Sequence, residues 1–339
     1  MFKRGLFMAF MALISIACCK DNPSNVTPLD EQMGTLEVSV YDELTTRATS
    51  ASVNDSNIEN VQILIFSKGI LERYGKFEDL TEPIVFTLPT GGVSCYAVAN
   101  SSEDLSDIGS TTELNSRLSY LKNNSLSGFE MIGNTGTTIT NNFSNQVRIG
   151  LRRFVAKIQI DKITPMFISK AYQKMEFKVT GIYLTNVNGS CPYDLTPKAS
   201  SDNNLWYNKL KYESGDCDHL ISDIFSEPVI LQTSDGVVTP YQTTHSFFFY
   251  PNPTVGDSSS STWSHRWTRL VVEATLDGTT YYYPVSFRNT YPNYLYKITD
   301  MKITGPGSTS PELPIIKRDF TVNLYIQDWT GETVQEVEY

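Results

Sequence analysis

Short runs in which apolar and polar residues alternate recur from one end of this sequence to the other, and that pattern constrains the fold to sheet. The first run spans residues 35–41, with Leu36, Val38 and Val40 on one face and Glu37, Ser39 and Tyr41 on the other. Period two of this kind is the signature of a half-buried strand. Residues 61–66 (VQILIF), 83–88 (PIVFTL) and 95–100 (CYAVAN) read as buried strands. Residues 269–275 and 281–287 face each other across Asp277 and Gly278, a hairpin signal. Residues 294–303 give another strand, and 320–326 alternate with Phe320, Val322, Leu324 and Ile326 on one face. One helix is expected, over residues 110–123. Ser110 and Glu113 have capping-box spacing, and Leu114, Leu118 and Leu121 recur at helical intervals. Many short strands with one short helix predict an all-β chain of two β-sandwiches.

The chain has 339 residues, enough for two domains that each bury a core. The expected division is an N-terminal sandwich over residues 48–150 and a C-terminal one over 151–339, with the boundary in the strand pattern of 146–160, bent near Gly150. The net charge of −10 argues against nucleic acid or an anionic membrane surface as partner. Residues 1–47 carry four positive and six negative charges, so the chain without them still stands at −8. Arg152, Arg153 and Lys157 cluster at the boundary and read as surface ion pairing rather than an anion site. Residues 186–227 are rich in Gly, Pro and Asn and read as a polar surface excursion.

Of five cysteines, Cys95 lies in an apolar run as a small core residue. Cys191 and Cys217 either pair in an oxidising compartment or stay separate. No pair has metal or redox spacing, and Cys217 with His219 lacks further ligands, so neither a metal nor a cofactor is expected.

Residues 1–19 have the form of a secretory signal: Lys3 and Arg4, an apolar run over 6–17, then Cys18 and Cys19. The run is too short to span a bilayer. Its cysteines resemble those of a bacterial lipoprotein signal, in which the thiol takes acyl chains such as palmitate. Ala17 is the small residue before Cys18, while Ile16 and Ala17 fit the next two places upstream if Cys19 is the modified residue, so both cysteines qualify. Residues 21–34 read as a linker.

Arg47 is the lone basic residue between Lys20 and Lys68, set among Thr and Ser that neither continue a strand nor start a helix. Such an extended segment is where a trypsin-like protease cuts. A cut between Arg47 and Ala48 discards the strand carrying Leu36, Val38 and Val40. At the other end, residues 329–339 (WTGETVQEVEY) continue in extended form. Trp329, Thr333, Gln335, Val337 and Tyr339 lie on one face, with Glu332, Glu336 and Glu338 on the other. A tail of that length suits insertion into a neighbour's vacated slot, or pairing in its own sheet. Head-to-tail insertion does not close on itself and builds a filament.

Taken in order, these pieces resemble the fimbrillin family of Bacteroidales, the subunits of protease-assembled type V pili. The matching segments are the signal through Cys19, the alternating strand followed by Thr46, Arg47 and Ala48, and residues 61–66. Further on come YAVAN at 96–100, RFVAKI at 153–158, GIYLTNV at 181–187, and a closing strand ending at Asp328 and Trp329. The resemblance implies two transthyretin-like sandwiches, passage to the outer membrane as a lipoprotein, and cleavage after Arg47 by an Arg-specific surface protease. It further implies polymerisation with copies of itself and related pilus subunits through a C-terminal donor strand bearing Trp329, Val334, Val337 and Tyr339. Polar Thr333 and Gln335 depart from an apolar donor. Possession of both the arginine and the tail favours a stalk subunit over a tip or anchor.

Two other classes compete. No HExxH, GxSxG, P-loop or Rossmann glycine pattern is present, and His219, His245 and His265 fall in or beside loops with no obvious nucleophile or carboxylate placed with them as a catalytic pattern, so catalysis is not expected. A monomeric surface lipoprotein that binds glycan or host protein would use exposed aromatics, with Trp206, Trp263, Trp267 and Tyr281 to Tyr283 as candidates. Aromatics of sandwiches more often serve cores and hairpins.

Overall fold

The computed structural model describes residues 32–43, 57–141, 144–256, 262–313, 320–328 and 333–338, with side chains described as far as Gln327. The chain folds as strands throughout, with two short helices among the described residues. Its first half contains β1 (Met33–Asp42), β2 (Val61–Ser67), β3 (Ile70–Phe77), β4 (Ile84–Pro89), β5 (Gly91–Ala99), α1 (Thr111–Ser116), β6 (Leu118–Tyr120), β7 (Met131–Ile139) and β8 (Asn145–Arg153). Seven of these strands form one continuous, rolled sheet in the order β3-β2-β5-β7-β8-β1-β4. The roll turns between β7 and β8, which pair only at Met131–Arg153 and Ile132–Arg152. There a Cβ on Gly133 would lie 2.0 Å from the Gly150 carbonyl oxygen, so only glycine permits that approach.

The second half contains β9 (Ala156–Ile160), β10 (Ile163–Pro165), β11 (Phe177–Thr185), β12 (Val187–Asn188), β13 (Ser190–Pro192), β14 (Trp206–Tyr207), α2 (Asp218–Ile221) and β15 (Ser222–Gln232). It continues with β16 (His245–Phe249), β17 (Thr268–Leu276), β18 (Thr279–Phe287), β19 (Tyr294–Ile303), β20 (Phe320–Asp328) and β21 (Thr333–Glu338). Two main sheets result, β16-β9-β19-β20-β21 and β15-β11-β17-β18. The β17–β18 hairpin turns on Asp277 and Gly278, at φ of 49° and 80°. Positive φ at both central residues is the turn type whose twist matches the flanking strands.

Two apolar cores follow from this arrangement. One gathers Leu36, Val38, Ile63, Ile65, Phe86, Leu88 and Ile149 inside the rolled sheet. The other fills the second half and reaches back to Leu64, Phe66, Val98 and Ile132. Burial on both faces explains why β2 reads as an unbroken apolar run rather than an alternation.

The structure departs from expectation in three places. Instead of one helix over residues 110–123 there are α1, of six residues, and the single turn α2. The cap is formed: Ser110 Oγ accepts from the Glu113 N–H at 3.2 Å, and Glu113 Oε2 accepts from the Gly109 N–H at 3.0 Å. Leu118 then enters β6 and pairs with Pro192, because a strand partner distant in sequence outweighs weak helical propensity.

Residues 186–227 are only in part the expected surface excursion: 201–204 and 213–216 are exposed, while Asn186, Asn188, Cys191, Trp206 and Asn208 are buried. Their polarity serves the interior. Asn188 Nδ2 donates to the carbonyls of Ser190, Lys198 and Pro251, satisfying backbone acceptors that cannot reach water. Cys191 and Cys217 are separate buried thiols, and burial pushes both upward in pKa, Cys217 to about 12. Arg153 is fully buried rather than at the surface; its partner is described below.

Candidate strand-exchange site

The slot occupied by β1 is the feature that sets this chain apart from an ordinary rolled sheet. β1 comes first in sequence yet lies inside the sheet. It runs antiparallel to β4, from Met33 opposite Pro89 to Val38 opposite Ile84. On its other side it runs parallel to β8, from Leu36 opposite Asn145 to Asp42 opposite Leu151. In the sheet order, β4 is joined to β8 only through β1.

Alternation then assigns the side chains. Leu36 and Val38 are buried, at 0% and 2% exposure, among Ile84, Phe86, Leu88, Val147 and Ile149, and partly buried Val40 packs against the same core. Burying each such side chain contributes roughly 1.5–3 kcal/mol. The opposite face makes lighter contacts. Gln146 Nε2 donates to Glu37 Oε2 at 3.0 Å, Ser39 Oγ donates to the Val147 carbonyl at 3.3 Å, and the Arg148 guanidinium lies 5.0 Å from the Tyr41 ring centroid. At the entrance, Asn145 Nδ2 donates to the Thr35 carbonyl at 2.8 Å. A Cβ on Gly34 would meet the Thr140 carbonyl oxygen at 2.4 Å, so the backbones approach closely there.

β1 ends on a buried ion pair. Asp42, in phase with Leu36, Val38 and Val40, is 2% exposed, and Arg153 at the end of β8 is 0% exposed. Arg153 Nη2 donates to Asp42 Oδ2 at 2.5 Å and Nη1 donates to Oδ1 at 3.3 Å, a two-pronged contact that suits guanidinium and carboxylate. Asn293, in the turn before β19, joins from the second half: its Oδ1 accepts from the Arg153 backbone N–H at 3.3 Å and from Nη1 at 3.5 Å. The inner end of β1 is therefore tied to both halves of the molecule.

The tail occupies a different environment. β21 pairs antiparallel with β20, from Asn323 opposite Glu338 to Gln327 opposite Thr333, and forms the edge of its sheet. Cys18, Cys19, Arg47, Ala48, Trp329 and Tyr339 lie outside the described residues. Val334 and Val337 lie within β21.

The aromatics considered as a binding platform are engaged with one another and with the core. Trp206 is 3% exposed, its Nε1 donates to the Ser200 carbonyl, and its ring lies 4.8 Å from His265 and 5.5 Å from Trp263. Tyr283 is fully buried, and Trp267 lies under Arg288 at 3.9 Å. Among the described residues, no group of three or more His, Cys, Asp or Glu side chains converges as a metal site.

Asp42, Arg153 and Asn293 are the residues that sequence reading missed. A signal for the first existed: Asp42 continues the inward phase of Leu36, Val38 and Val40, and a carboxylate in that phase requires a buried cation. Nothing local points to Arg153 as its partner, 111 residues away.

No family model matches the chain, and no curated protein matches it by sequence. Solved structures do share its fold. A candidate cell adhesion protein from Bacteroides eggerthii superposes with a TM-score of 0.63 at 17% identity, covering 88% of this chain and 96% of that one. A fimbrilin from Porphyromonas gingivalis gives a TM-score of 0.60 at 16% identity, over 87% of this chain and 97% of the other. The tip fimbrial protein Mfa3 from the same organism, with a C-terminal truncation, gives 0.52 at 13% identity, over 88% and 100%.

Proposed function

We propose that this chain is a structural subunit of a surface fimbria, assembled by exchanging β1 for a strand supplied by a neighbouring subunit. The observation that carries this reading is the position of β1. An opening strand bridges two strands that are joined only through it, and the lone Arg47 follows within a few residues. A cut after Arg47 separates β1 from the fold it completes. The departing strand exposes Leu36's and Val38's partners and leaves backbone donors and acceptors of β4 and β8 unpaired, each costing roughly 1–3 kcal/mol. An incoming strand recovers both contributions, which sum to well over ~10 kcal/mol before association costs. Until the cut, β1 fills the slot and prevents premature pairing.

The shared fold with fimbrial proteins supports the reading, as does a tail already in strand conformation at a sheet edge. In this scheme the precursor travels to the outer membrane as a lipoprotein acylated at Cys18 or Cys19, an Arg-specific surface protease cuts between Arg47 and Ala48, and the mature subunit resides in the fimbrium and supports adhesion. Residues 329–339, with Trp329, Val334, Val337 and Tyr339, act as donor to the next subunit.

Limited trypsin treatment of the purified precursor tests this. Expected is one early cut at Arg47, followed by a ladder of heat-resistant oligomers on a denaturing gel, and no ladder from Arg47→Ala or from a chain ending before Thr330. A normal ladder from either variant would sink the proposal. N-terminal sequencing of protein extracted from the cell surface is expected to begin at Ala48.

A further inference from the structure

We propose that a polar groove between α1 and the turn after β13 is a binding site for a neutral oligosaccharide. The proposal goes beyond strand exchange, because it concerns binding by the folded subunit whether or not it assembles.

The groove begins where the roll of the first sheet leaves a gap. β7 and β8 pair only at Met131–Arg153 and Ile132–Arg152, and just beyond that point Gly133 and Gly150 lie against each other with no side chain to fill the recess. A depression of about 350 Å³ opens there, bordered by Tyr96, Asn134 and Arg152. A second, of about 470 Å³, is bordered by Thr112 on α1 and by Thr196 and Lys198 beyond β13. Asn115 and Asp194 border both, so the two adjoin as one groove. Each falls within the roughly 300–1,000 Å³ of small-ligand sites.

The wall contributed by the second half is fixed before any ligand arrives. β13 pairs with β6, the Tyr193 N–H donates to the Arg117 carbonyl at 2.9 Å, and the Leu195 N–H donates to the Pro192 carbonyl at 3.0 Å. Asp194 Oδ1 accepts from the Thr196 N–H at 2.8 Å. Together these bonds hold Leu195 at a φ of 58°, a left-handed backbone disfavoured for leucine. Backbone kept against its preference in this way is a feature of ligand clamps. The side chains of Asn115 and Asn134, by contrast, make no hydrogen bond among the described residues. Each brings an amide that can both donate and accept.

That chemistry selects the ligand. Amides serve both roles of a sugar hydroxyl, whereas an apolar ligand would leave them dry and unpaired. Arg152 and Lys198 are set against Glu43 and Asp194, with Arg152 Nε 3.9 Å from Glu43 Oε2, so neither an anion nor a cation meets a field of one sign. Glu43 belongs to the segment that a cut after Arg47 removes, and both signs remain without it. Tyr96, edge-on to Phe66 at 5.5 Å, joins Ile132 and Leu195 in giving apolar surface for the C–H face of a sugar ring. An extended peptide is served less well, because a helix and a turn border the groove and neither offers a strand edge to pair with. In a fimbria the site would recur in every subunit, so weak contacts would sum through avidity.

The test is ligand-observed NMR on the uncut full chain. The probes are neutral tetrasaccharides of glucose, galactose, mannose and N-acetylglucosamine, beside sialyllactose and a tetra-alanine peptide. At least one neutral tetrasaccharide is expected to bind, ahead of sialyllactose and the peptide. Asn115→Ala and Asn134→Ala should each weaken that binding about 10-fold, the loss of one or two hydrogen bonds. Their Tm should stay unchanged, because neither side chain is bonded within the described fold. Asn115→Trp, which fills the place where the depressions adjoin, should abolish binding. Absence of any neutral binder, a stronger response from sialyllactose or the peptide, or undiminished binding by these variants each overturns the proposal. None of those outcomes bears on strand exchange, which the trypsin ladder judges separately.

Discussion

Each end of the described chain contributes one strand to a sheet, and the two are held in unlike ways. β1 has a partner on each side, sends Leu36 and Val38 into a core and ends on the buried Asp42–Arg153 pair. Among the described residues, β21 has one partner, β20, and lies at an edge. An interior strand is bound by packing and two ladders; an edge strand by one ladder. In the proposed assembly, β1 would be the plug and the tail the donor. The plug must hold until a covalent bond is cut, while the donor must leave its home sheet at little cost. A filament built as proposed would be driven by the difference between the two sites, each tail exchanging a shallow site for a deep one.

The largest test of that contrast is deletion. A chain lacking residues 33–43 is expected to lose cooperative unfolding of its first half, whereas a chain lacking 329–339 keeps its Tm within about 2 °C, both followed by calorimetry. Similar losses from the two deletions would erase the distinction between plug and donor.

Single truncations are expected to scale it down. Leu36→Ala should cost about 3 kcal/mol, since it opens a cavity in a closed core. Val337→Ala should stay within about 0.5 kcal/mol in denaturant unfolding of the monomer. A Val337→Ala cost matching that of Leu36→Ala would mean that the tail is locked into its own sheet.

A smaller effect marks where the influence of β1 ends, at the joint between the halves. Glu130 is buried there, accepting from Ser119 Oγ and from Tyr193 Oη at 2.5 Å. Burial, the largest influence, raises its pKa above the usual glutamate value of 4.5, and the Ser119 and Tyr193 hydrogen bonds pull the other way. A carboxyl whose folded pKa is raised stabilises fully below its unfolded pKa, and that contribution is lost as pH rises through the folded value. Stability should therefore fall with rising pH above the ordinary glutamate range, by at most ~1.4 kcal/mol per pH unit from this group. Glu130→Gln should flatten that slope in Tm measured across pH, while the residence of β1 after cutting at Arg47 stays unchanged. A slope of the same size in Glu130→Gln would assign the pH dependence to other groups.

Much of the local structure was legible from residue order. Asp277 and Gly278 announce the β17–β18 turn because few residues adopt positive φ at both positions without strain. Ser110 with Glu113 announces a helix start because the cap satisfies backbone donors locally. The end of that helix was not legible, since β13 competes for residues 118–120 from a segment far along the chain. Residues 186–227 misled for a related reason. Asn and Ser suit a wet surface or a dry interior, and only the backbone carbonyls around them decide which.

The alternation of Leu36, Val38 and Val40 was enough, alone, to declare a strand with one buried face, because side-chain direction along an extended chain has period two whatever lies beside it. That the strand enters between β4 and β8, and that Asp42 at its end meets Arg153, was decided by the tertiary fold. Which strand lies next to which depends on surfaces brought together across long intervening chain, more than a hundred residues of it for β8 and Arg153. A buried charge is tolerated only where one particular partner arrives to meet it.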